Sequence, residues 1–307
     1  MKHQSDFIIE TSNLSFGFTH EPTVQDLNIQ VEKGAIYGFL GPNGAGKTTT
    51  IRLLLGLLPS AAGVIRLFGT PLSGNRIDIL SKTGSLIEQP SLYEHLSGRE
   101  NLEITRIIRK STRKRVTELL EWVKLSNAAD KKVKAYSLGM KQRLGLALAL
   151  LSDPELLILD EPVNGLDPAG IIETRELLLD INSALGVTIF LSSHLLTEIE
   201  KLVTHIGVIN KGRLIFQGTI DQLKEINKNK NVIRIKTDDN EKTIFLLRHK
   251  YNVTQRQLNT LEIPFENREQ VASICKWLMT ENINLYQVAV SSKDLEQTFI
   301  EIIEKYN

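Results

Sequence analysis

Two stretches of the chain carry residue types at spacings that suit chemistry on phosphate. Residues 41–48 read Gly-Pro-Asn-Gly-Ala-Gly-Lys-Thr, which fits G-x-x-x-x-G-K-[ST]. Gly41, Gly44 and Gly46 let the backbone curl through Pro42, Asn43 and Ala45 until successive N–H groups face one centre. Such a concavity, opening a helix, suits phosphate oxygens. Lys47 supplies a cation for β- and γ-phosphates, Thr48 a hydroxyl for Mg2+, and Thr49 follows as a further nucleotide-binding candidate. The second stretch, LLILDEP, sets Asp160 at the end of an apolar run with Glu161 next. Asp160 can hold a metal ion. Glu161 leaves the strand in another direction and can polarise a water for in-line attack on a γ-phosphate.

These residues need particular elements behind them. AIYGFL, before the glycine loop, is an apolar run without a polar face and reads as a buried strand. TTTIRLLLGLL, after it, reads as a helix, so the loop has the strand–turn–helix context that its chemistry requires. Upstream, FIIE, LSFGF and VQDLNIQVEKG alternate like short strands. From about Asn101 to Lys134, apolar residues recur at three- and four-residue steps, as in NLEITRIIRK and RKRVTELLEWVKL, and predict helices. MKQRLGLALALL, AGIIETRELLLDINSAL and LLTEIEKLV then alternate as helices with the strands ELLILD, VTIFLSS and the pair HIGVINKGRLIFQG. Strand–helix alternation predicts a mostly parallel sheet covered by helices. Between Gly218 and Asn231 the polar, lysine-rich DQLKEINKNKN reads as a boundary or linker. Beyond it, NVIRIKT, TLEIPF and LYQVAVS read as strands, and NREQVASICKWLMTEN and SKDLEQTFIEIIEKY as helices, a small α+β appendage.

Composition narrows the class. The 307 residues allow one large domain or two modest ones. With 41% hydrophobic and 24% charged residues the chain is globular in composition, not disordered or fibrous. The formal net charge of +1 gives no whole-chain bias toward nucleic acid, which is not expected as a partner. A single cysteine, Cys275, excludes an intramolecular disulfide framework and a multi-cysteine zinc site; it lies in an apolar helix pattern and reads as core. The start MKHQSDFIIETSN lacks the apolar core of a secretory leader, and no stretch approaches the roughly 18 apolar residues that span a bilayer.

Between the two phosphate-directed stretches lies Tyr136-Ser137-Leu138-Gly139-Met140-Lys141-Gln142-Arg143. This resembles the signature of the ABC transporter ATPases, whose usual form is LSGGQ. Gly165-Leu166-Asp167 resembles that family's D-loop, and His194, after TIFLSS, its switch histidine. Phe18 sits where the family stacks an aromatic on adenine, with Phe16 as a neighbouring candidate. The motifs cover about residues 6–220 in the family's order. The resemblance implies an α/β P-loop ABC ATPase core, residues 1–220, with a helical signature subdomain at about 90–150 and the α+β appendage at 221–307. It further implies ATP and Mg2+ as ligands, Glu161 and His194 as catalytic residues, and Thr48 and Asp160 at the metal. A head-to-tail pair is implied too, a homodimer in the simplest case, in which Ser137, Leu138, Gly139 and Met140 meet the partner's ATP near Asp167. Membrane permease subunits would be the other partners, with the chain at the cytoplasmic face of the membrane.

The sequence departs from the family at two places. Leu138 and Met140 stand where the signature usually has glycine and glutamine, a form familiar in exporters of drugs and antimicrobial peptides. At the family's Q-loop the segment reads Gly84-Ser85-Leu86-Ile87-Glu88-Gln89-Pro90, which aligns Glu88 with the usual glutamine and leaves Gln89 as the alternative. A glutamate there resembles the E-loop ATPases of lantibiotic immunity and bacitracin export, and it adds Glu88 to the expected metal ligands. The expectation is therefore the ATPase subunit of an exporter of antimicrobial peptides. Export of other hydrophobic drugs or lipids, and a regulatory ATP sensor with little turnover, are the alternatives.

Overall fold

The computed structural model describes residues 6–19, 21–226, 231–255, 260–291 and 295–305. The chain divides into two compact units, Met1–Ile220 and Asp221–Lys305.

The first unit opens with β1 (Phe7–Phe16), β2 (Val24–Leu27) and β3 (Gln30–Glu32), followed by β4 (Ile36–Leu40) and α1 (Lys47–Leu54). Next come β5 (Ala62–Leu67), β6 (Thr70–Pro71), α2 (Arg76–Ser81) and β7 (Thr83–Leu86). A run of helices follows: α3 (Gly98–Arg109), α4 (Arg113–Trp122) and α5 (Leu138–Ala149). Strands and helices then alternate through β8 (Leu156–Leu159), α6 (Pro168–Leu185), β9 (Thr188–Ser193), α7 (Leu196–Ile199), β10 (His205–Asn210) and β11 (Arg213–Thr219).

These strands form two sheets. An antiparallel one has the order β2-β1-β5-β6, with β3 also on β1. The other has the order β11-β10-β4-β9-β8-β7 and is parallel except for β11 at its edge. Every residue of β4, β8 and β9 is buried. That is why these strands read as unbroken apolar runs: a parallel strand is covered on both faces. Because β4, β9 and β8 are adjacent and parallel, the glycine loop, Asp160 and His194 all leave the same edge of the sheet, where open α/β sheets bind ligands. α1 is fixed against this core by Ile51, Leu53 and Leu54, all fully buried. Each such side chain stabilises the fold by about 1.5–3 kcal/mol through burial.

The helix–helix region is braced at its start. Ser97 caps α3 by accepting the Glu100 N–H at 3.2 Å, and the Glu100 carboxylate accepts the Ser97 N–H at 2.7 Å, a reciprocal capping box. These bonds hold the Glu100 carboxyl below its usual range.

The second unit contains α8 (Ile220–Glu225, shared with the boundary), β12 (Val232–Thr237), α9 (Asn240–Leu247), β13 (Thr254–Gln255), β14 (Leu261–Pro264), α10 (Arg268–Thr280), β15 (Leu285–Ser291) and α11 (Leu295–Lys305). Its sheet order β13-β14-β12-β15, all antiparallel, on a β-α-β-β-α-β chain path is a ferredoxin-like arrangement. It has its own core of Ile233, Ile235, Ile263, Leu247, Ile274 and Leu278. Cys275 is half-buried, and burial pushes its thiol upward, away from a reactive thiolate.

Several elements differ from the sequence reading. The stretch read as a linker begins with helix α8, anchored by the fully buried Leu223; its residues 227–230 lie outside the described ones. LLTEIEKLV is helical only over Leu196–Ile199, because the chain turns to bring Leu202 and Val203 into the core. α9 and α2 form where no helix was expected. Of SKDLEQTFIEIIEKY, residues 292–294 and 306 lie outside the described residues, and α11 covers the rest.

Candidate functional site

The site is built at the carboxyl ends of β4, β8 and β9. After β4 the chain enters the glycine loop, and α1 begins at Lys47. Two glycines are sterically required. A Cβ on Gly41 would lie 2.4 Å from the Ile209 carbonyl oxygen, and Gly46 adopts φ 106 with the Thr23 carbonyl oxygen 2.9 Å from where its Cβ would be. Lys47 is buried to 6% exposure. Its Nζ donates to the Gly41 carbonyl at 2.8 Å and the Pro42 carbonyl at 3.2 Å, and pairs with Glu161 Oε1 at 3.2 Å.

Asp160 follows β8 and is 1% exposed. Its Oδ1 accepts the Ser192 hydroxyl at 2.6 Å, whereas its Oδ2 is buried with no hydrogen-bond partner among the described residues. Glu161 adopts φ 49, a left-handed conformation that costs a non-glycine residue roughly 1–2 kcal/mol. That turn separates the two neighbours: Asp160 stays in the interior while Glu161 lines the open cavity. The Glu161 N–H donates to Ser192 Oγ at 2.9 Å, so one serine at the end of β9 holds both acidic residues. Glu161 Oε2 lies 2.7 Å from His194 Nδ1. Its carboxylate is thus gripped between Lys47 and His194.

A cavity of about 430 Å³ opens beside these groups. Asn43, Gly44, Gly46, Lys47, Thr48 and Thr49 line one side, and Glu161, Asn164 and His194 face them, with Thr23 at the border. Gly41, Pro42 and Ala45 carry the loop beneath and do not line it. Glu198, on α7, has a buried Oε2 without a hydrogen-bond partner among the described residues. Burial raises its carboxyl above the usual range; the nearby His194 opposes that shift and Glu161 adds to it.

The signature residues, Asp167 and Phe18 lie away from this cavity in the single chain. Ser137 caps α5 and accepts the Met140 N–H at 3.2 Å, with Leu138 exposed beside it. A Cβ on Gly139 would lie 3.8 Å from Leu166 Cδ2 and one on Gly165 3.3 Å from Leu138 Cδ2, so the signature and the D-loop share one surface. Asp167 caps α6 through the Gly170 N–H at 2.9 Å. Phe18 is 62% exposed and meets Phe16 edge-to-face at 4.8 Å, while Phe16 is buried in the core. Only Phe18 therefore offers a ring to a ligand.

Glu88, expected among the metal ligands, does not line the cavity. Its carboxylate pairs with Arg52 Nη2, on the last turn of α1, at 2.6 Å, and Glu88 and Gln89 are both exposed. The positive φ of 55 at Glu88 turns its side chain toward that arginine. Sequence reasoning missed Ser192, Asn164, Thr23, Glu198 and Arg52. Asn164 had a signal in its position three residues after Glu161; Ser192 and Arg52 act across strands or helices and left none.

A glycine loop on a buried parallel strand, with an acidic pair at the end of a second strand one place beyond its neighbour, defines a P-loop nucleotide hydrolase. Residues 24–164 match the ABC transporter family. A bacitracin transport ATP-binding protein of Bacillus licheniformis is 41% identical over 96% of this chain and 97% of its own length. A lantibiotic transport ATP-binding protein of Streptococcus pyogenes is 41% identical over 70% of this chain and 92% of its own. Among solved structures, the ATP-binding subunit of an ABC transporter superposes with a TM-score of 0.64 at 30% identity, covering 71% of this chain and 92% of that one. The chain belongs to the ATP-binding subunits of ABC transporters and is an ATPase of that family.

Proposed function

We propose that the chain hydrolyses Mg2+-ATP as one of two identical subunits at the cytoplasmic face of a membrane, driving a separate permease that exports an antimicrobial peptide. The observation that carries the hydrolytic part is the Glu161 carboxylate, held between Lys47 and His194 at the wall of the cavity. Glu161 accepts a proton from the attacking water, and His194 holds that carboxylate in place. Lys47 exchanges its carbonyl contacts for the β- and γ-phosphates, the loop N–H groups cradle them, and Phe18 stacks on adenine.

The residues present fit a divalent cation. The buried Asp160 Oδ2, without a hydrogen-bond partner among the described residues, is costly without a positive partner, and Thr48 lines the cavity beside Glu161, the next residue. Thr48 and Asp160 would hold Mg2+, which would supply neutralisation of phosphate charge. Glu88, paired with Arg52, would have to leave that arginine to reach the metal. The segment around Glu88 thereby ties metal binding to the permease. Ser137 and Leu138, exposed, with the half-buried Gly139 and Met140, all away from the chain's own cavity, meet the ATP of a second copy, with Asp167 between the two sites.

The cargo rests on the relatives named for bacitracin and lantibiotic transport. The test is survival of a susceptible host expressing this chain with its permease, challenged with bacitracin or a lantibiotic. Protection by the wild type and none with Glu161→Gln is the expected result; protection by neither rejects the peptide cargo.

A further inference from the structure

The α3–α4 corner is unlike the rest of a chain whose net charge is +1. Residues 106–115 read RIIRKSTRKR: six are Lys or Arg, and none is acidic. The corner is also rigidly built. Lys110 closes α3 in the left-handed conformation, the Ser111 N–H donates to the Arg106 carbonyl at 3.0 Å, and Thr112 caps α4 through the Arg115 N–H at 3.2 Å. Arg106 returns a bond to the Ser111 carbonyl at 3.2 Å.

The cations divide into two sets. Arg106 pairs with Glu103 at 2.6 Å, Lys114 with Glu118 at 3.2 Å, and Arg115 with Asp153 at 2.8 Å. Arg109, Lys110 and Arg113 are exposed and make no ion pair among the described residues. Two isoleucines accompany them: Ile107 is 65% and Ile108 73% exposed. Ile107, Ile108, Arg109 and Lys110 are consecutive, so this last turn of α3 projects with no side packed against the protein. Cations at a helix C-terminus complement its dipole. That accounts for Arg109 and Lys110, but not for Arg113 at the start of α4 or for two isoleucines held in water.

We propose that this corner docks on an anionic lipid surface. Lys and Arg side chains beside exposed apolar ones are the combination that binds such a surface, the cations meeting headgroup phosphates and the isoleucines entering the acyl boundary. A nucleic acid would satisfy the cations alone and would leave Ile107 and Ile108 in water. The docking needs neither the peptide cargo nor the hydrolytic roles assigned above.

The test is co-sedimentation of the full-length chain with vesicles of phosphatidylcholine alone, and of phosphatidylcholine and phosphatidylglycerol in equal parts. Wild type should bind the mixed vesicles, weaken with added salt, and bind the neutral ones poorly. The triple variant R109E/K110E/R113E should lose on the order of a hundredfold in partitioning, at about fivefold per cation. I107S/I108S should lose about tenfold. A control reversal of equal charge on the second unit, K236E/R268E/K276E, should keep most of the binding. All variants change exposed residues, and an unchanged melting temperature and ATP affinity show that each is folded. Equal wild-type binding to both vesicles, wild-type binding by either corner variant, or an equal loss in the control overturns the proposal. Binding to RNA or to an acidic peptide without vesicle binding overturns it as well and reassigns the patch.

Discussion

Ser192 is a small side chain with two obligations. It donates to Asp160 and accepts from the Glu161 N–H, so removing its hydroxyl leaves a buried carboxylate oxygen and a backbone donor short of partners. Ser192→Ala should cost about 1–3 kcal/mol of stability by denaturant unfolding. It should also lower kcat/KM by roughly 10–100-fold, as loss of a supporting contact at a metal site does. Glu198 offers a test through pH. Burial raises its carboxyl, so the folded chain binds this proton more tightly than the unfolded one. Stability from this group is greatest below the ordinary carboxylate range and declines as pH rises through the raised value. Glu198→Gln removes that decline: its melting temperature should exceed that of wild type at pH 8, with the gap closing toward pH 4. At this scale the sequence was legible where chemistry is local. Asp160 and Glu161 announce themselves as neighbours at a strand end. The bond from Ser192 to Asp160 crosses two parallel strands, and strand register is not written in either segment. The choice between Phe16 and Phe18 likewise depended on where β1 ends: the strand stops at Phe16, which stays in the core, and Phe18 is released to solvent.

Among the elements, α3 is held at its start by the Ser97–Glu100 box, whose spacing is readable as S-x-x-E. Ser97→Ala should cost about 1 kcal/mol. Because the box lowers the Glu100 carboxyl from 4.5, its contribution is complete above that pH and is lost as pH falls through the lowered value. Glu100→Gln should flatten that acid limb in thermal melts from pH 6 to pH 3, and an unchanged limb would contradict it. The buried strands β4, β8 and β9 were legible because a parallel strand is apolar on both faces. Helices α2 and α8 were not, because each spans six residues and buries one side chain, Ile79 or Leu223, too little for a period to register. β7 reads Thr-Gly-Ser-Leu and shows no strand pattern on its own; pairing with β8 makes it one. The ferredoxin-like path of the second unit was out of reach for the same reason, since α9 and the two-residue β13 complete it.

On one chain the cavity at the glycine loop lies apart from the surface that carries Ser137 and Gly165, as the head-to-tail pair proposed above requires. Its second unit carries its own core and no part of the described cavity. The proposed hydrolysis turns on the Glu161 carboxylate, which accepts the proton of the attacking water. The direct measurement is ATP turnover by the full chain, wild type beside Glu161→Gln, with and without Mg2+, while following oligomeric state. Wild type should show Mg2+-dependent turnover that falls in the variant by about 10²–10⁴-fold, with ATP binding retained and an ATP-bound dimer accumulating. Turnover by Glu161→Gln at the wild-type rate would contradict it.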